Sequence, residues 1–177
     1  MDITAESFFE MRTRYHIALV QKYGERLMIL ASPNGGDFLR QLSIHDLSKF
    51  VEPERTPYVE ITKLYRKDGS VPMTPQFLEA TTHHVVNNRH HPEAWDKDSA
   101  EKRKLNKADR NALIVAPINA LTMPDLFILE MVADWCAVAE ERGDSPLDWA
   151  NRNIGTRWIF SQSQEFLIRK AIGMAWR

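Results

Sequence analysis

No stretch of these 177 residues sustains the period-two alternation of apolar and polar side chains, rich in β-branched residues, that a half-buried strand requires. That absence constrains the fold most, because what remains reads as helices joined by loops. Phe9, His16, Val20, Tyr23, Leu27 and Leu30 recur at helical spacing along one side of a first helix, from about Ala5 to Ala31. Gly24 weakens it, and Ser32-Pro33-Asn34-Gly35-Gly36 stops it. A second helix is predicted from Asp37 to about Ser43 or beyond, and a third from Thr56 to Lys67 before the turn Asp68-Gly69-Ser70. Pro75 suits the first turn of a fourth, running to about Asn88. Pro92 to Lys107 reads as a polar loop, and Leu113 to Leu121 as a short helix or an extended segment. Pro124 to Glu141 reads as a strong helix ended by Gly143, and Ser161 to Trp176 as the last. There is no internal repeat and no linker long enough to separate two domains. The expectation is an all-α fold, a single compact helical domain over residues 1–177.

The formal net charge of −1 gives no global attraction to nucleic acid or to an anionic membrane. The basic run Lys102-Arg103-Lys104, with Lys107 and Arg110, reads as a solvated loop edge. The longest apolar stretch, Pro124 to Ala139, is broken by Asp125, Glu130 and Asp134, so it is not a membrane span. The N-terminus lacks the basic and apolar regions of a secretory signal. Cys136 is the single cysteine, which excludes a disulfide framework and suits a reducing compartment; its apolar surroundings make it a buried, inert thiol. A cytoplasmic protein is expected, with association into a homo-oligomer left open.

Four of the six histidines fall in the run His83-His84-Val85-Val86-Asn87-Asn88-Arg89-His90-His91, and the others are His16 and His45. Imidazoles ligate borderline metals and carboxylates complete such sites. His16 lies on the apolar side of its helix, where one histidine is more often a core residue than a ligand. In His45-Asp46 both side chains reach one ion if it lies between them; alternatively, Asp46 is a helix-start residue accepting backbone hydrogen bonds. Asp134 interrupts an apolar run one turn after Glu130, so it is either on a solvated stripe or buried with a partner. On a helix His84, Asn88, His91 and Trp95 would form one row and His83, Asn87 and His90 the next, although Pro92 favours an extended backbone at His91.

The ordered set His16, His45-Asp46 and Asp134 on separate helices resembles the HD-domain superfamily of metal-dependent phosphohydrolases. The strings His45-Asp46-Leu47-Ser48-Lys49-Phe50, His83-His84 to Trp95, and Glu130-Met131 to Asp134-Trp135 are similar to an uncharacterised bacterial and phage branch of HD-like proteins, from about Tyr15 to Trp149. The resemblance implies an HD-like helical bundle in which His16, His45, Asp46 and Asp134 ligate a metal. The histidines between imply a second ion, with His84 and His91 favoured as its ligands over His83 and His90. One or two divalent transition metals are expected: manganese, iron, cobalt or zinc. The implied reaction is hydrolysis of a small phosphate ester, most of all a nucleotide, by metal-activated water. Lys49 would hold a non-bridging oxygen, while His83 or His90, if unligated, or Asn88, would orient substrate or pass a proton. Asn88 and Arg89 would contact substrate, and Glu130 would orient a ligand from behind. The loop from Glu93 to Lys107 would cover the site. Lys49 stands where superfamily nucleotidases often carry Glu; a lysine there is similar to the HD-GYP phosphodiesterases, but the chain has no Gly-Tyr-Pro run. Two other functions fit the pattern: a di-iron HD-fold oxygenase acting on a C–H bond, and a non-catalytic, metal-stapled helical binding protein with a closed site.

Overall fold

The structure, a computed structural model, describes residues 3–106 and 114–176. At its centre is α6 (Asp125–Arg142), whose residues Phe127 to Ala133 are all buried, as are Trp135, Cys136, Ala137 and Ala139. A helix apolar nearly all round is stable only when surrounded. Here α1 (Ala5–Leu27) and α8 (Gln162–Ala175) pack along it, with α2 (Gly35–Ile44) and α7 (Pro146–Asn153) closing the remaining sides. α3 (Arg55–Asp68) packs on α1, and α4 (Pro75–Asn87) packs on α3. The all-α expectation is met, and among the described residues no helix is long and apolar enough to cross a membrane.

Local signals explain the element boundaries. Thr4, Thr74 and Ser161 cap α1, α4 and α8 by accepting hydrogen bonds from backbone N–H groups three residues on. Ser161 and Gln164 form a reciprocal capping box. Gly69 and Gly143 take left-handed backbone at the ends of α3 and α6. Gly24 is placed against α2: a Cβ there would lie 2.6 Å from Leu42 Cδ2 and 3.1 Å from its Cγ. The glycine that weakens α1 as a sequence therefore lets two helices approach closely.

The segment expected to be a polar loop, from Pro92 to Lys107, is instead a short 3₁₀ turn (Pro92–Trp95) followed by α5 (Ser99–Leu105). Buried Asp96 organises it, accepting hydrogen bonds from the N–H groups of Asp98 and Asn119 and from Lys102 Nζ. Sequence pattern alone misses it because its stability comes from this one carboxylate rather than from an apolar stripe. Lys102 and Arg103 are accordingly in α5, bonded to Asp96 and to Thr82 of α4, not on a solvated loop edge; Lys107, Arg110 and Leu113 lie outside the described residues. α1 stops at Leu27 and gives way to turns, four residues short of the expected end. Of the two readings of Leu113 to Leu121, the described part takes the extended one at β1 (Ile118–Asn119), which pairs in parallel with β2 (Trp158–Ile159); that pairing and α7 were not foreseen.

Candidate metal centre

Eight side chains from five separate segments converge in the interior between α1, α4 and α6. His16 comes from α1, and Glu130 and Asp134 from α6. His45 is the residue that ends α2, and Asp46 follows it with φ 57°. That left-handed backbone is unfavourable for most side chains but tolerated by Asp. It makes a sharp corner between α2 and the 3₁₀ turn Leu47–Phe50, and both side chains of the corner are buried. Asp46 caps no helix with its side chain, so the helix-start reading is replaced by an inward role.

The histidine block does not continue as a helix. α4 ends at Asn87, Asn88 takes extended backbone, and His91 is extended as Pro92 demands. The row His84–Asn88–His91–Trp95 is therefore broken after Asn88. The break folds the chain back so that His90 and His91 both face His84, with ring centroids 6.1 and 5.0 Å away, and His90 lies 4.2 Å from His45. His90, which the sequence reading set behind His84 and His91, thus stands in the cluster with them. His83 lies to one side, bonded to Glu54 and 40% exposed.

Among the described residues, donor atoms form three groups within 4.8 Å: His16, His45 and Asp134; Asp46, His84, His90 and His91; and His45, His90 and Glu130, which shares a histidine with each of the others. Asp46 stands between the first two. Its Oδ2 lies 3.7 Å from the Nε2 atoms of both His16 and His45. Its Oδ1 lies 3.2 Å from His84 Nε2 and 3.6 Å from His90 Nε2. Asp134 Oδ1 approaches His16 Nε2 at 3.0 Å.

Behind the imidazoles stands a row of carboxylates, each facing a ring Nδ1. His45 and His90 turn Nδ1 toward Glu130 Oε1, at 2.9 and 3.3 Å. His84 Nδ1 donates to Glu54 Oε2 at 2.8 Å, and Glu141 Oε1 lies 3.5 Å from His16 Nδ1. Carboxylates in this position fix tautomer and ring orientation, leaving Nε2 with its lone pair inward. Ser48 donates to Glu54 Oε2, and Asn88 donates to Ser48 Oγ and the His84 carbonyl, so Asn88 braces the His84 side. Arg89 contacts the rings of Trp95 and Phe127 instead. Glu54 and Glu141 escaped the sequence reading. Glu141 had a signal, since it lies seven residues after Asp134 and shares its face of α6; Glu54, in a Pro-bounded link, had none.

Electrostatics follow from this crowding. Burial lowers the His16 pKa, but Asp134, Glu141 and Asp46 outweigh it and push it up to about 9. Burial and its cationic neighbours hold His91 well below the ordinary range. Burial, then the His90 charge, lowers His45, while Glu130 overcomes burial at His90 and raises it; one carboxylate sustains one cation, not two. Burial would raise Asp46, but Lys49, bonded to it, and then His45 and His84 hold it far down. Among the described residues His45 Nε2, Asp46 Oδ1, His91 Nε2, Glu130 Oε2 and Glu141 Oε1 are buried polar atoms with no hydrogen-bond partner. Such atoms are costly unless something else engages them. Their chemistry, imidazole nitrogen and carboxylate oxygen, fits a divalent transition metal.

The fold and this cluster define the molecule as an all-α protein with a buried histidine–carboxylate centre. It belongs to a family described as Family of unknown function (DUF5662), matched over residues 5–173. No curated protein and no solved structure matches the chain.

Proposed function

We propose that the cluster binds two divalent transition metal ions and hydrolyses a phosphate ester, a nucleotide being the preferred class. The observation that carries this reading is the straddling position of Asp46, with one oxygen toward His16 and His45 and the other toward His84 and His90. His16, His45, Asp46 and Asp134 would hold one ion, and Asp46, His84, His90 and His91 the other. Charge supports the number. Asp46, Asp134, Glu54, Glu130 and Glu141 are five carboxylates, matched by Lys49 and two divalent ions when the imidazoles are neutral. When bound, the ions supply Lewis acidity, making water a nucleophile at neutral pH and neutralising phosphoryl oxygens.

The remaining roles belong to the chain. Glu130, Glu54 and Glu141 keep the imidazoles oriented. Lys49 keeps its charge, because Asp46 overcomes the effect of burial, and can hold a non-bridging phosphate oxygen. Exposure favours catalysis over a purely structural staple. Glu130 and His45 side chains are fully buried, whereas Lys49 is 19%, Asp134 14% and His16 11% exposed, so one side of the cluster reaches solvent. A structural metal site is closed on all sides. The same five-histidine set suits iron, so oxidation of a C–H bond by two irons is the second reading.

The test is a screen of nucleoside mono-, di- and triphosphates and p-nitrophenyl phosphate against protein loaded with manganese, cobalt, zinc or iron. Hydrolysis that chelation stops, and that falls at least 100-fold in Asp134→Ala, supports the proposal. No phosphate release with any metal sinks it, and an iron EPR signal in that protein would favour the oxygenase.

A further inference from the structure

Beside the cluster, next to Lys49, lie two side chains that the metal centre does not use, Tyr58 and Arg103. Tyr58 on α3 sets its ring edge-on to His84, with centroids 5.6 Å apart, and the Lys49 ammonium lies 5.3 Å from the centroid of that ring. Among the described residues the Tyr58 hydroxyl has no hydrogen-bond partner, and the charges acting on it are those of Lys49, Asp46, Glu54 and Arg103. Arg103 reaches in from α5. Its Nε donates to Thr82 Oγ1 and its Nη2 to Thr81 Oγ1, both at 3.1 Å. Thr81 stands on α4 one turn before His84, and the Arg103 charge acts on the Tyr58 hydroxyl.

The partners of Arg103 are unusual for a half-buried guanidinium. Both are neutral hydroxyls, and among the described residues no carboxylate forms an ion pair with it. Glu93 attracts it from a distance, but Glu93 also accepts a hydrogen bond from Trp158 Nε1. A charge withdrawn from water without a counter-charge is unfavourable. The two threonines fix the plane of the guanidinium through Nε and Nη2, and Nη1 carries no protein hydrogen bond among the described residues. A planar donor fork held in this way matches a phosphate.

We infer that Arg103, Tyr58 and Lys49 form an oxyanion pocket beside the cluster that recognises the terminal, dianionic phosphate of a monoester. This deepens the hydrolytic reading, on which it rests for the ester but not for the pocket. Arg103 adds a cation that the five carboxylates do not already balance, and with Lys49 and the Tyr58 hydroxyl it favours the two negative charges of a terminal phosphate over the single charge of a diester. The pocket thus selects a terminal phosphate over an internal phosphodiester linkage, and Arg103 and Tyr58 are its specificity residues. α5, from the segment expected to cover the site, contributes a binding residue instead of a lid.

The experiment uses metal-loaded full-length protein. Inorganic phosphate is titrated calorimetrically into the wild type, Arg103→Gln, Arg103→Lys and Tyr58→Phe. Hydrolysis of p-nitrophenyl phosphate and bis(p-nitrophenyl) phosphate is measured alongside, with metal content and melting temperature. Arg103→Gln should weaken phosphate binding at least tenfold and raise KM for the monoester by a similar factor. KM for the diester should rise by a clearly smaller factor, the metal content should stay unchanged, and Arg103→Lys should restore part of the loss. Tyr58→Phe, which removes a single oxygen and keeps the ring packing, should weaken phosphate several-fold and carries the test if Arg103→Gln does not fold. Phosphate binding lost in the variants of a protein that hydrolyses neither ester supports the pocket and removes the hydrolase. Monoester hydrolysis unchanged in both Arg103→Gln and Tyr58→Phe removes the pocket and leaves the hydrolase. A wild type that binds no phosphate overturns the pocket outright.

Discussion

At the scale of single residues, the centre depends on which ring nitrogen each histidine offers, and that choice is made by carboxylates. Glu130 serves two imidazoles at once. Replacing it by Gln removes the charge but keeps the size, and metal affinity should fall about 10–100-fold, as it does when such supporting groups are lost elsewhere; unchanged affinity in competition with a chelator would contradict this. His16 supplies a pH dependence with a definite sign. In the metal-free protein its pKa is raised to about 9 by Asp134 and Glu141. The resulting stabilisation is complete below the unfolded value of about 6.5 and is lost as pH rises through 9. A metal must displace that proton, so apparent metal affinity should climb from pH 6.5 to 9. A calorimetric titration at several pH values checks this, and a flat profile over that range would refute it. The proposed ligands His16, His45, Asp46 and Asp134 were legible because they stand in order along the chain. The choice of His90 was not, because it depends on a break in α4 that sends the chain back.

At the scale of elements, two effects compete at Gly24. Alanine in a helix interior is better than glycine by about 0.5–1 kcal/mol. Against that, the added Cβ would meet the buried Leu42 side chain of α2, whose Cγ would be only 3.1 Å away. Overpacking of this kind destabilises by about 1–3 kcal/mol, so the contact outweighs the propensity. Gly24→Ala should lower stability in urea unfolding, whereas a gain would mean that α2 yields freely. The same example marks what periodicity can and cannot tell. It located α1, α2, α3, α4, α6 and α8, because each carries an apolar face toward the core. It missed α5, whose fold hangs on Asp96, and it scored Gly24 as a weakness because the partner helix is invisible along the chain.

At the scale of the molecule, α6 joins core and chemistry: one helix carries much of the buried apolar surface as well as Glu130, Asp134 and Glu141. Metal binding must then stabilise the whole fold. At free metal about 100-fold above its Kd the gain is about 2.7 kcal/mol. For a chain of this size that corresponds to a rise in Tm of about 5–10 °C, reversed by chelation. A Tm indifferent to chelator in protein known to hold metal would separate the centre from the core. The most direct test of the account is the metal content of protein purified without added metal, wild type beside Asp46→Asn. Asparagine tolerates the left-handed backbone at this corner, so the fold is kept while the straddling carboxylate is lost. The account predicts close to two manganese, iron, cobalt or zinc ions per wild-type chain and little metal in the variant. Metal absent from both proteins, even after incubation with each ion, or retained in full by Asp46→Asn, would contradict it.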